Sequence, residues 1–208
     1  MDRSPTQEID YQAILQVAAE SREGIVKFLS DELPFVWRDT YVAMTPHPVN
    51  VVRFQYGSFE YIFDDYASLE SRGIVPYAPE IEGRLIAVFG CSNPKTTRRD
   101  DYRLKGWVGA TEKVFGRGWD KGHYIAHTIG GVVDGLEANV FVQRRDLNRG
   151  WSVQGKRYRE MEKYCVSNSQ TFCFSRPLYT DQAAKPTFVE FGVLKQGDKL
   201  WIDCFDNR

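Results

Sequence analysis

Apolar positions recur at helical spacing near the start of the chain and in short, strand-like runs beyond residue 50. Between residues 5 and 32, Ile9, Ile14, Leu15, Val17 and Ala18, and then Ile25, Val26, Phe28 and Leu29, fall largely three and four positions apart. That spacing predicts two helices, with Gly24 as a break or bend between them. From Val51 onward, Val, Ile, Phe and Tyr cluster in runs bounded by Gly, Pro, Asn and Asp. Strands are predicted over Val51–Tyr56, Arg84–Phe89, Asn139–Gln143, Thr171–Phe174, Thr187–Leu194 and Leu200–Phe205, and Gln196-Gly197-Asp198 between the last two is a hairpin signal. Tyr158, Met161, Glu162 and Cys165 share one helical face, predicting a helix over 156–165. The pattern is that of an α+β fold, mixed but mostly antiparallel in its central sheet, with N-terminal helices. No internal repeat or linker interrupts it.

Composition narrows the class. The 208 residues are 42% hydrophobic and 14% aromatic, enough for one well-packed core. No apolar run has the length of a membrane span, and the N-terminal MDRSPTQEIDYQ lacks the basic-then-apolar order of a signal peptide. A cytoplasmic protein is expected, or one delivered by a dedicated secretion machine. Cys91, Cys165, Cys173 and Cys204 are scattered without zinc-ligand spacing and read as reduced thiols. Net charge is −1, but Lys95 to Lys163 holds 15 basic against 9 acidic residues. A basic middle in an acidic remainder points to a localised anion-binding face.

The chemistry concentrates in DKGHYIAHTIGGVVDGLEANVFVQRRDLNRG, Asp120 to Gly150. Phosphodiester hydrolysis needs a base to activate water, positive charge to stabilise the phosphorane, and a proton for the leaving oxygen. His123, one of three histidines, follows a glycine that allows a sharp turn and has the side chain best matched to general-base work near neutrality. Asn148 and nearby carboxylates are hard oxygen donors, better suited to Mg2+ or Mn2+ than to zinc. Other readings stand beside these. His123 alone is a turn residue, Asn148 alone a helix N-cap, and Asn139 either a brace for the histidine's strand or a catalytic group. Arg144, Arg145 and Arg149 are phosphate contacts or a solvated corner, His127 is a surface histidine, and Trp107, Trp119 and Trp151 are core or rim residues.

Taken together, Asp120-Lys121-Gly122-His123, Asn139 with Gln143, and Asn148 with Gly150 resemble the DNA/RNA non-specific endonuclease family. These are the ββα-metal, or His-Me finger, nucleases, and the stretch His123-Tyr124-Ile125-Ala126 to Gly130-Gly131 is similar to their endonuclease G-like, toxin-associated branch. The family pattern is Asp-Arg-Gly-His at a strand end, Asn-x-x-x-Gln on the next strand, Asn-x-Gly at a helix start, and a glutamate further along that helix. The resemblance covers roughly residues 85–208. It implies a ββα-metal nuclease core over 81–208; residues 1–80 lie outside it and are read as an N-terminal helical elaboration of unknown role, within one compact domain overall.

Three positions depart from the pattern. Lys121 replaces the arginine, giving a point-charge contact in place of a bidentate one. Val142 replaces a proline. Lys156 occupies the spacing of the family's glutamate, and an insertion of about four residues around Ser152 to Gly155 restores Glu162 to that role, with Glu160 as the alternative. The resemblance then implies a Mg2+- or Mn2+-dependent endonuclease leaving 5′-phosphate and 3′-hydroxyl ends. His123 is the base, Asn148 the metal ligand, Glu162 the residue that orients water at the cation, and Asn139 a catalytic or supporting residue. Lys121, Gln143, Arg144, Arg145 and Arg149 contact substrate, and Asp120 and Gly122 support. Arg98, Arg99, Arg103 and Arg117 compete for the arginine that stabilises the transition state. DNA, RNA or both are the expected partners, with an immunity or inhibitor protein if the chain is a delivered toxin. The rival expectation, motivated by Lys121 and Lys156, is a nucleic-acid-binding module of the same fold without activity.

Overall fold

The computed structural model describes residues 9–18, 21–95, 111–132 and 137–208. The chain runs α1 (Tyr11–Gln16), α2 (Arg22–Met44), β1 (Val51–Tyr56), β2 (Phe59–Asp64), α3 (Tyr66–Ser71), β3 (Arg84–Cys91), α4 (Thr111–Phe115), β4 (Trp119–His123), β5 (Val140–Arg144), α5 (Arg145–Asn148), α6 (Val153–Ser167), β6 (Phe172–Leu178), β7 (Phe188–Lys195) and β8 (Lys199–Asp206). Six strands form one antiparallel sheet in the order β1-β2-β3-β6-β7-β8, and β4 and β5 form a separate antiparallel ribbon. The α+β class read from the sequence is therefore the class of the protein.

The sheet is covered on both faces: alternate residues of a strand point to opposite sides, and a bulge at Ile86, skipped between the Ile62–Ala87 and Phe63–Leu85 pairs, shifts that alternation within β3. On β3 and β6, Ile86, Phe89, Phe172 and Phe174 pack with Leu29, Leu33 and Trp37 of α2 and with Tyr11 of α1. Leu85, Val88 and Cys173 point the other way, toward Tyr124, Phe141, Leu147, Tyr158 and Met161 from the ribbon, α5 and α6. The ribbon and α6 thus form the layer opposite α1 and α2.

Local differences from the sequence reading have physical causes. Gly24 does not break the helices: Ser21 caps α2 by accepting from the Gly24 amide at 3.1 Å, so Gly24 lies in the first turn. The helix then continues through Pro34 to Met44. Leu29, Leu33 and Trp37, four apart and fully buried on the sheet, supply packing that outweighs the proline's missing donor. The N-terminal 80 residues are not helical throughout. The β1–β2 hairpin lies within them and joins the central sheet through β3. No helix among the described residues is long and apolar enough to cross a membrane.

Candidate functional site

β4 and β5 pair with Asp120 opposite Gln143, Lys121 opposite Val142, Gly122 opposite Phe141, and His123 opposite Val140. Alternation puts Lys121 and His123 on one face of the ribbon and Asp120, Gly122, Phe141 and Gln143 on the other. The strand runs straight through Gly122, so the sharp turn expected there does not occur. A β-carbon at this position would lie 2.5 Å from Gln143 Cβ and 2.2 Å from its Oε1. The glycine is required because Gln143, itself buried, packs onto the ribbon where a side chain would stand. Gln143 was expected to meet substrate; the structure puts it below the surface, and its Nε2 has no hydrogen-bond partner among the described residues.

Asp120 is the hub of the next shell of contacts. Its carboxylate accepts from Arg145 Nε at 2.9 Å, from Arg149 Nε at 2.7 Å and from Asn148 Nδ2 at 3.3 Å. Burial pushes this carboxyl up, but the bonds from Arg149, Arg145 and Asn148 outweigh that and hold its pKa below the ordinary aspartate value. An ionised carboxylate only accepts, so the Asn148 amide must turn its NH2 toward Asp120. Its Oδ1 is thereby aimed elsewhere. Asn148 is not a helix N-cap and does not start a helix. It is the last residue of α5, and Ser152 caps α6 through the Gly155 amide at 3.0 Å.

α6 brings up the glutamate. Arg159 donates from Nη1 to Glu162 Oε2 at 2.7 Å and from Nη2 to the Asn148 carbonyl, tying the two helices together. A β-carbon on Gly155 would sit 2.4 Å from the Asp146 carbonyl, so only glycine lets the first turn of α6 approach α5 this closely. Glu162 is 6% exposed and faces inward with Tyr158, Met161 and Cys165. Burial raises its pKa, and the neighbouring Arg159 offsets this only in part. Glu160, with 63% of its side chain exposed, pairs with Arg157 on the outer face.

The remaining candidates divide clearly. Asn139 is wholly buried and spends its amide on the backbone: Oδ1 accepts from Ile125 N at 3.0 Å, and Nδ2 donates to the carbonyls of Ile125 at 3.0 Å and Val132 at 2.7 Å. These bonds tie Ile125 and Val132 to the residue that precedes β5. Arg144 is engaged bidentately by Asp146 at 3.0 and 2.5 Å. Lys121 is half-buried, and burial lowers its pKa. Lys156 and Arg117 are exposed, and His127 is half-buried in a short 3-10 turn. Trp119 lies under the Lys185 ammonium at 4.0 Å, while Trp151 is exposed, with Arg149 5.1 Å over its ring. Arg98, Arg99, Arg103 and Trp107 lie outside the described residues. Reading the sequence missed Arg159. Only its position one helical turn before Glu162 pointed to it.

No family model and no curated protein sequence matches the chain. Among solved structures, "Structure of Sda1 nuclease with bound zinc ion" aligns with a TM-score of 0.38 and 13% identity over 81% of each chain.

Proposed function

We propose that the chain is a metal-dependent endonuclease that hydrolyses phosphodiester bonds of DNA or RNA with little sequence preference, leaving 5′-phosphate and 3′-hydroxyl ends. The observation that carries this reading is the linked set Asp120–Asn148–Arg159–Glu162, assembled where α5 and α6 meet the ribbon that bears His123. The donor set fits a hydrated hard cation. Asn148 offers a carboxamide oxygen turned away from Asp120, a hard donor of the kind such a cation takes while keeping most of its waters. Asn148 would hold Mg2+ or Mn2+, which supplies positive charge to the developing phosphorane. His123 takes the proton from the attacking water, Glu162 would orient water where the cation is held, and Lys121 and Arg149 bring positive charge to the phosphate backbone. Asp120 is a positioning residue that fixes the Asn148 amide and the two arginines.

Supercoiled plasmid and total RNA digested in parallel, with Mg2+ and with chelator, test the reading. Cleavage that needs the cation and falls at least ~10²-fold in His123→Ala is expected, the lower range of what a positioned general base contributes. No cleavage of either substrate by the folded wild-type protein, with nucleic-acid binding retained, would replace it with the binding-module reading.

A further inference from the structure

On the sheet face opposite the candidate nuclease site, α2 and the β3–β6 strands enclose a cavity of about 430 Å3. That volume is within the roughly 300–1,000 Å3 typical of small-molecule sites. Its walls are mostly apolar and aromatic, including Trp37, Met44, Ile86 and Leu178, and two arginines line it.

Both arginines are buried, Arg84 at 4% and Arg176 at 3% exposure. Both contribute to the cavity wall, and each lacks a full set of anionic partners. Arg176 donates Nε to Glu190 at 2.7 Å, but its buried Nη2 has no hydrogen-bond partner among the described residues. Glu190 also accepts from the Tyr11 hydroxyl at 2.8 Å, so its charge is shared. Arg84 has no carboxylate partner among the described residues. Its Nε donates to the Tyr41 hydroxyl at 2.7 Å and its Nη1 to the Asp181 carbonyl at 2.5 Å, and its guanidinium lies 4.3 Å from the Tyr179 ring centroid and 5.2 Å from that of Tyr41. Tyr41 in turn donates to Asp64, 2.8 Å away. Asp181, the one acidic residue of the lining, has its Oδ1 accepting from the Ala183 amide at 3.0 Å. Arg84 thus reaches a carboxylate, Asp64, only through the Tyr41 hydroxyl, and beside it stands a second guanidinium with an unsatisfied donor; buried charge compensated this indirectly is costly, and an anion in the cavity offsets that cost.

We propose that this cavity binds a small organic anion, its carboxylate or phosphate head held by Arg84 and Arg176 and its apolar body packed against Met44, Ile86 and Leu178. Guanidinium groups match oxyanions of either kind through paired N–H donors. The site is separate from the phosphodiester chemistry and does not depend on it.

The test uses the full chain with benzoate, phenyl phosphate and neutral benzyl alcohol, read by calorimetric titration and thermal melting. At least one of the anions should bind one per chain and, at about a hundredfold excess over Kd, raise Tm by about 5 °C or more, while benzyl alcohol does neither. Response to one anion alone identifies the head group; response to both assigns the shared oxyanion chemistry. Arg84→Met should weaken binding at least about tenfold, as expected when a charged hydrogen-bonding partner is lost. Thr40→Phe, which narrows the cavity from α2 and leaves both arginines in place, should do the same and serves if Arg84→Met does not fold. Arg149→Gln should bind as wild type does. Neither anion binding at millimolar concentration, unchanged binding in a folded Arg84→Met or Thr40→Phe protein, or loss of binding in Arg149→Gln would each overturn the proposal.

Discussion

Asn139→Ala separates bracing from chemistry. The substitution removes an amide with no solvent exposure that satisfies the Ile125 amide and the carbonyls of Ile125 and Val132. Alanine cannot replace any of these bonds. Leaving a buried donor or acceptor unmade costs about 1–3 kcal/mol, and Val132, nearer the surface, can recover part of its bond from water. The expected loss is about 3–5 kcal/mol, a large share of the roughly 5–15 kcal/mol that holds a domain folded. The segment released, residues 124–132, follows His123 directly; the Asn139 carbonyl also accepts from the Tyr124 amide at 3.0 Å, and that bond survives the substitution. Urea unfolding should therefore show a midpoint lowered in proportion, with the m-value unchanged. Activity of the fraction still folded should fall through misplacement of His123, and Asn139→Asp should not restore stability, because a carboxylate cannot donate to the two carbonyls. An unchanged unfolding midpoint together with lost cleavage would refute this reasoning and return Asn139 to a direct catalytic role.

Glu162→Gln should abolish most cleavage while Glu160→Gln leaves it near wild type, and equal losses would mean that the inward face of α6 is not what aims the carboxylate. The same variant has a pH signature. With its folded pKa raised by burial, Glu162 favours folding below the ordinary glutamate pKa and loses that contribution as pH rises through the raised value, so the Tm of Glu162→Gln minus that of wild type should grow from mildly acidic to neutral pH. A difference that shrinks over that range would show that the Arg159 pair outweighs burial. Asn148→Ala should raise the Mg2+ concentration needed for half-maximal cleavage; an unchanged metal titration would remove Asn148 as ligand. Gly122→Ala should cost about 1–3 kcal/mol in thermal or urea unfolding, as overpacking does, since its methyl would collide with Gln143. A neutral result would mean that Gln143 can leave its place at little cost.

Several features were legible in the sequence because local chemistry alone specifies them. The β7–β8 hairpin is one: Gly197 and Asp198 adopt the positive φ that Gln-Gly-Asp signals, and the register closes with Lys195 opposite Lys199. The inward face of α6 is another, since Tyr158, Met161, Glu162 and Cys165 can share a stripe only at helical period. The alternating strands and the α+β class follow in the same way. Tertiary packing decided the rest. Whether Pro34 ended α2 depended on how much Leu29, Leu33 and Trp37 would bury, and Gly122 looked like a turn because Gln143, across the ribbon, was not yet in view. Asn148 looked like a cap until Asp120, 28 residues earlier, claimed its amide. The cavity between Arg84 and Arg176 lay beyond any local signal, because those residues stand 92 positions apart and meet only when β3 pairs with β6. Short-range periodicity and turn chemistry are written in neighbouring residues, whereas the charge state and contacts of a buried polar group depend on partners that only the folded chain assembles.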